Sequence, residues 1–149
     1  MTTQQFIEGP EGRRNKPYKD TAEPPKTTIG VGWNMDANPL PADIQEYLDA
    51  NGEITDEMIN ELFDISLDRA IAGCKALFPD FDNFSDGVKM ALTDFVFQMG
   101  EHGASKFVNS IAMINSGQWE EAAENMLKSL WAEEVPNRAK DVTDLIAAG

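Results

Sequence analysis

From Asp56 to Leu77 the chain reads DEMINELFDISLDRAIAGCKAL, a stretch without proline whose apolar residues recur at helical spacing. Met58, Leu62 and Ile65 fall on one stripe, and Ile59, Phe63, Ile71 and Cys74 on a second. Thr55 precedes the run as an N-cap, and Asp56 and Glu57 occupy the first turn, where carboxylates favour the positive end of the helix dipole. At about 1.5 Å per residue this helix reaches roughly 33 Å. That is long for a chain of 149 residues. A helix so long and apolar on two stripes must be covered along most of its length, and it suits a connection between two lobes.

What surrounds the helix differs on its two sides. Before residue 52 lie Pro10, Pro17, Pro24, Pro25, Pro39 and Pro41, and the run TTIGVGW at 27–33. Its β-branched alternation, broken by two glycines, predicts a bent strand whose backbone comes close to another group. Tyr18-Lys19-Asp20 is a partner strand, and short helices are expected near 3–8, ended by Gly9-Pro10, and near 41–50. After the long helix the pattern stays helical. One helix carries Val88, Leu92, Phe95, Val96 and Met99 and stops at Gly100; another carries Phe107, Ile111 and Ile114 and stops at Gly117. A third carries Trp119, Ala122, Met126, Leu127 and Leu130, and Pro136 opens a last one with Val142, Leu145 and Ile146. The expected class is α+β, one domain over 1–149. A small antiparallel sheet lobe spans about 11–55, the connecting helix about 56–77 and an all-helical lobe about 78–149, which the N-terminal helix at 1–10 joins.

Charge removes several functions. The net charge is −14, and it is uneven: residues 1–26 hold five basic and four acidic side chains, whereas the rest hold 7 and 22. A protein that tracks a phosphate backbone needs a basic face, so nucleic acid is excluded as a partner. No apolar run approaches the roughly 20 residues of a membrane span, and the first residues have neither the charged nor the apolar region of a signal peptide. A single cysteine, Cys74, excludes an internal disulfide and a cysteine-rich metal site. No metal or cofactor is expected.

The one histidine, His102, sits in Gly-Glu-His-Gly at 100–103 and reads as an exposed loop residue, and Cys74 reads as core. No serine–histidine–aspartate set is available without His102, which leaves carboxylates, the groups used in glycoside hydrolysis. The segment FIEGPEGRRNKPYKDTAEPPKTTIGVGW at 6–33 offers two glutamates, Glu8 and Glu11, each followed by glycine, and then Asp20. A glutamate before a strand, an aspartate at its end and a hydroxyl on the return strand could flank one groove, one acid protonating the leaving oxygen and the other handling a water. Spacing alone leaves open which glutamate acts.

Two blocks then become recognisable: EGRRNKPYKDT (11–21) with TIGVG (28–32), and VFQMGEHGASKFVNSIAMINSGQWEEAAENMLKSLW with VPNRAK (96–140). Together they resemble the T-even-type phage lysozymes, glycoside hydrolase family 24, over most of the chain. The resemblance implies the two-lobed lysozyme-like fold and a hydrolase cleaving the β-1,4 bond between N-acetylmuramic acid and N-acetylglucosamine in peptidoglycan, with inversion. It implies Glu11 as the general acid, nine positions before Asp20, with Asp20 as base or electrostatic stabiliser and Thr28 positioning the water. It further implies Arg138 as the arginine supporting the glutamate, and Phe97, Gln98, Ser110 and Asn125 as saccharide contacts. Glu8 is left as a surface bystander.

The same resemblance implies an endolysin: a monomer, made in the host cytoplasm, that acts on the wall once a separate holin-type protein has permeabilised the inner membrane, without inserting in the membrane itself. The alternatives are a lytic transglycosylase, against which Asp20 and Thr28 argue, and a non-catalytic wall-binding or virion module. Several features depart from the family. The loop TAEPPKT at 21–27 is longer and carries Pro24-Pro25, Trp33 stands where a histidine braces the acid, and Pro10 precedes Glu11. The sequence ends soon after Pro-Asn-Arg, and its charge is acidic where the T-even type is basic. Packing by Trp33 is expected to brace the acid instead. The acidic charge predicts a host in saline water, since the Debye length shrinks from about 10 Å at 0.1 M salt to about 3 Å at 1 M and long-range charge then matters little. Lytic activity should therefore hold or rise as salt increases to about 0.5 M, and a monotonic fall across that range would contradict it.

Overall fold

A computed structural model describes residues 1–20 and 24–149, so Thr21, Ala22 and Glu23 of the TAEPPKT loop lie outside the described residues. Contacts gather these residues into two compact units, Ile7–Ser66, and Met1–Phe6 with Leu67–Gly149. Helices α1 (Thr3–Glu11) and α3 (Asp56–Leu77) contribute residues to both.

In the first unit, β1 (Arg14–Lys19), β2 (Thr27–Gly30) and β3 (Trp33–Asn34) form a three-stranded antiparallel sheet among the described residues, in the order β1-β2-β3. Tyr18 pairs with Thr28, Lys19 with Thr27 and Ile29 with Trp33, and the register slips between Arg14 and Tyr18. Gly30 is buried with φ +65, and a Cβ there would lie 3.6 Å from Ile59 Cγ2, so the sheet lies close on α3. Helix α2 (Ala42–Asn51) follows, ended by Gly52 in the left-handed conformation, whose N–H donates to the Leu48 carbonyl. Thr55 caps α3 as expected, its hydroxyl accepting from the Met58 N–H at 3.1 Å.

The second unit is helical. It contains the remainder of α3, a short 3-10 turn at Phe81–Asn83, and α4 (Asp86–Ser105), α5 (Val108–Asn115), α6 (Trp119–Leu127), α7 (Leu130–Glu134) and α8 (Pro136–Ala148). Its core includes Cys74, Phe78, Val88, Leu92, Phe95, Val96, Ile114, Met126, Trp131, Val142 and Ile146. Phe95 meets Phe107 and Trp131 edge to face at centroid distances of 4.9 and 5.0 Å. Gly73 is what lets α3 and α4 approach, because a Cβ at this position would stand 2.9 Å from Val96 Cγ1.

Four expectations change. Gly9-Pro10 does not end the first helix: Pro10 sits in its last turn, and α1 continues to Glu11 before Gly12, at φ +76, closes it by donating to the Glu8 carbonyl at 2.8 Å. The run at 27–33 is two strands rather than one bent strand, since Gly30 and Gly32 both take positive φ around a turn. The first part of α4 stops at Gly100 as expected, where φ 73 and ψ 160 leave the helical region, but a second short helix follows directly to Ser105, so His102 is exposed but helical rather than in a loop. The helix expected to carry Leu130 divides in two, because Ser129 caps a new helix by accepting from the Ala132 N–H.

Candidate active site

Glu11 enters the site as the last residue of α1. Its carboxylate lies against the turn between β2 and β3: a Cβ on Gly32 would stand 2.6 Å from Glu11 Oε2 and 3.0 Å from its Cδ. Gly32 also has φ +68, which disfavours any side chain. The group that TTIGVGW approaches is therefore the Glu11 carboxylate at Gly32 and helix α3 at Gly30. Trp33, buried, donates its indole N–H to the Asn38 carbonyl at 3.0 Å.

Just after Glu11, Arg13 fixes the start of β1. It donates to Glu8 Oε1 at 3.0 Å, to the Asp56 carbonyl at 3.0 Å and to Asn60 Oδ1 at 2.8 Å. Glu8 is thus more than a bystander, since it holds the arginine that ties β1 to the first turn of α3. Asn15 adds a second tie, exchanging hydrogen bonds with the backbone of Ile54 at 2.9 and 3.0 Å.

The β1–β2 ladder positions the other two candidates. Thr28 is buried and lies opposite Tyr18, so the two side chains share a face, to which Asp20 returns two positions further on. Asp20 lies just past the end of β1, yet its N–H still reaches the Lys26 carbonyl at 2.9 Å, while its Oδ1 accepts from the Lys26 N–H at 2.8 Å. The Thr28 hydroxyl donates to the same Lys26 carbonyl at 3.3 Å, which leaves its oxygen lone pairs facing outward from that bond as acceptors. Asp20 and Thr28 are thus both oriented by one residue, Lys26.

Tyr18 links these groups. Burial and the negative charge of Glu11 push its hydroxyl pKa up, Arg14 opposes them and Asp20 adds to the rise. One phenol feels both candidate carboxylates, so Glu11, Tyr18, Asp20 and Thr28 make a single constellation. The Tyr-x-Asp pattern contains this tyrosine, but sequence reasoning gave it no role.

The helical unit holds the remaining candidates. Gln98, half-buried on α4, accepts the Trp131 indole N–H at 2.9 Å, next to half-buried Phe97. Asn125 on α6 donates to the buried Ser110 hydroxyl on α5 at 2.8 Å. Arg138, on α8, grips Asp94 on α4 with Nε at 3.1 and 3.2 Å from its two oxygens, and its Nη2 also bonds Asp94 Oδ1. Asp94 is buried and was not singled out from the sequence; its one signal is an acid set directly against the apolar positions Leu92, Phe95 and Val96. Cys74 is inert core: burial pushes its thiol up to about 12, outweighing the lowering effect of the Thr93 hydrogen bond. Among the described residues, no group of histidine, cysteine or carboxylate side chains is arranged to hold a metal ion.

Residues 8–144 match the phage lysozyme family. The chain belongs to that family. It is 31% identical over 154 residues to "Probable T4-type lysozyme 2" of Dictyostelium discoideum, covering 93% of this chain and 89% of that protein. "Probable T4-type lysozyme 1" of the same organism is 30% identical over the same shares. The "Pre-baseplate central spike protein Gp5" of Enterobacteria phage T4 is 31% identical over all of this chain, which spans only 28% of that protein's length. Membership of the phage lysozyme family places the chain among glycoside hydrolases, with the α+β lysozyme-like fold.

Gly32 offers a test of the site that does not touch a carboxylate. Gly32→Ala forces the Glu11 carboxylate aside, and a shift of about 1 Å in a catalytic group can cost roughly 100-fold in rate. The fold should lose only about 1–2 kcal/mol from the left-handed backbone. Peptidoglycan clearing measured beside urea denaturation should show that split, and full activity in Gly32→Ala would contradict it.

Proposed function

We propose that the chain hydrolyses the β-1,4 bond between N-acetylmuramic acid and N-acetylglucosamine in peptidoglycan, with inversion, as a phage endolysin. In this reading Glu11 donates its proton to the leaving oxygen as the C–O bond breaks. Asp20 takes a proton from the attacking water, whose oxygen forms the new bond to the anomeric carbon. The Thr28 oxygen accepts a hydrogen bond from that water and aims it. The observation that carries the reading is the common face of Asp20 and Thr28, both tied to Lys26, beside a tyrosine that senses Glu11. Inversion requires about 6.5–9.5 Å between the two carboxyl groups, enough for a water.

Phe97, Gln98, Ser110 and Asn125 are proposed as the saccharide contacts of the helical unit, with the Ser110 hydroxyl fixing the Asn125 amide, and Arg138 is proposed as the arginine that supports the acid glutamate. The enzyme acts as a monomer from the host cytoplasm after a separate holin-type protein opens the inner membrane. A second reading, a lysozyme module within a larger virion component, is favoured by the match to Gp5 along the full length of this chain. Finding the chain in purified particles rather than in the soluble lysate would support that reading over the free enzyme.

The assignment of the acid is tested by a pair of substitutions. Glu11→Gln should lower reducing-end release from peptidoglycan by roughly 100-fold or more, the range of general-acid catalysis. Glu8→Gln, which disturbs only the contact with Arg13 at 3.0 Å, should keep most of the activity. The opposite ranking would move the acid to Glu8.

A further inference from the structure

A chain of net charge −14 that digests an anionic wall approaches its substrate against repulsion. A local exception to that charge lies on β1. Arg14, Lys16 and Lys19 are exposed along this strand, which is an edge of the sheet. Although the chain has 26 acidic residues, none of these three forms an ion pair among the described residues. Arg13 behaves differently, being taken up by Glu8 and by Asp56.

Arg14 has a specific setting. Its guanidinium carbon stands 4.9 Å from the centroid of the Tyr18 ring, and its charge acts on the same hydroxyl that feels Glu11 and Asp20. A guanidinium stacked on a ring keeps its plane fixed and its N–H edge available to a carboxylate. Lys19 donates to the Thr27 hydroxyl at 2.6 Å, which steadies the far end of the row without neutralising it. From residue 14 to residue 19 the strand spans roughly 17 Å at about 3.3 Å per residue, the length of a short extended peptide. Lysine and proline also guard edge strands against pairing with other sheets, a role Pro17 and one lysine would fill. That role does not require an arginine stacked beside the carboxylate site.

We propose that the exposed edge of β1, centred on Arg14 and Lys16 with Lys19 beyond, docks the carboxylate-bearing stem peptides of peptidoglycan. The proposal rests on the lysozyme reading and names the part of its substrate that carries the charge. Docking there brings an anionic polymer to an exposed basic strand of an acidic protein, next to the carboxylates proposed to cleave its glycan.

The test measures sedimentation of the Glu11→Gln chain with insoluble purified peptidoglycan, so that binding is read without turnover. Adding Arg14→Gln and Lys16→Gln should weaken binding by roughly two- to thirtyfold, the span of two exposed charge contacts. Lys128→Gln with Lys140→Gln makes the same change in net charge on the helical unit and should leave binding unchanged. On peptidoglycan whose carboxylates have been amidated, the parent and the β1 variant should bind alike. Equal weakening by the control pair, no weakening by the β1 pair, or a β1 effect that survives amidation would each overturn the proposal. Reducing-end release by the wild-type chain, run alongside, tests the hydrolase reading separately: binding through β1 without release keeps the docking surface and removes the hydrolase.

Discussion

The Glu11 carboxylate occupies the place that a side chain on residue 32 would take. The rest of the site depends on that vacancy. Gly32 lets the β2–β3 turn press against the end of α1, and Gly12 turns the chain from Glu11 directly into β1. Arg13 then holds the start of β1 on α3, and the pairing of Tyr18 with Thr28 brings Asp20 and Thr28 to one face. Each element is placed by the one before it, so the Glu11 carboxylate at the end of a short helix and the Asp20 carboxylate at the end of a strand are fixed relative to one another by backbone geometry. A site set on helix ends and paired strands is more closely held than one set on loops alone.

Polar groups inside the helical unit follow the same economy. The Trp131 indole, which has to find an acceptor once buried, finds Gln98, and Asn125 finds Ser110. The buried Asp94 is matched by the Nε and Nη2 donors of the Arg138 guanidinium. Removing one member of such a pair strands a charge in a low dielectric, which typically costs about 3–5 kcal/mol. Two of these three contacts involve residues proposed to meet the saccharide: Gln98 is bonded to the buried Trp131, and Asn125 to the buried Ser110.

Elements with both a periodic stripe and a cap were legible in the sequence. Thr55 and the two stripes of α3 give its bounds, and Pro136 opens α8 where a first-turn proline belongs. Elements that turn on a single residue were not. Pro10 reads as a break, but in the last turn of a helix it forgoes only one hydrogen bond to the Phe6 carbonyl, and the helix tolerates it. Gly100 does stop the first part of α4, but a new short helix begins directly after it, so His102 is helical where a loop was expected. Ser129 divides α6 from α7 through one side-chain cap that no periodicity announces. Within the site, the nine-residue spacing and the family pattern singled out Glu11 ahead of Glu8. The purpose of Gly32, the part played by Tyr18 and the Arg138–Asp94 pair are contacts between residues distant in the chain, which a single sequence does not encode locally.

The central claim is that Glu11 protonates the leaving oxygen while Asp20 and Thr28 direct a water to the opposite face of the sugar. The configuration of the newly formed reducing end, followed by proton NMR in the first moments of peptidoglycan digestion, tests it most directly. A water delivered from the opposite face yields the α-anomer of N-acetylmuramic acid first, with the β-anomer appearing only by later mutarotation. Initial release of the β-anomer, or of a 1,6-anhydro sugar, would contradict the account.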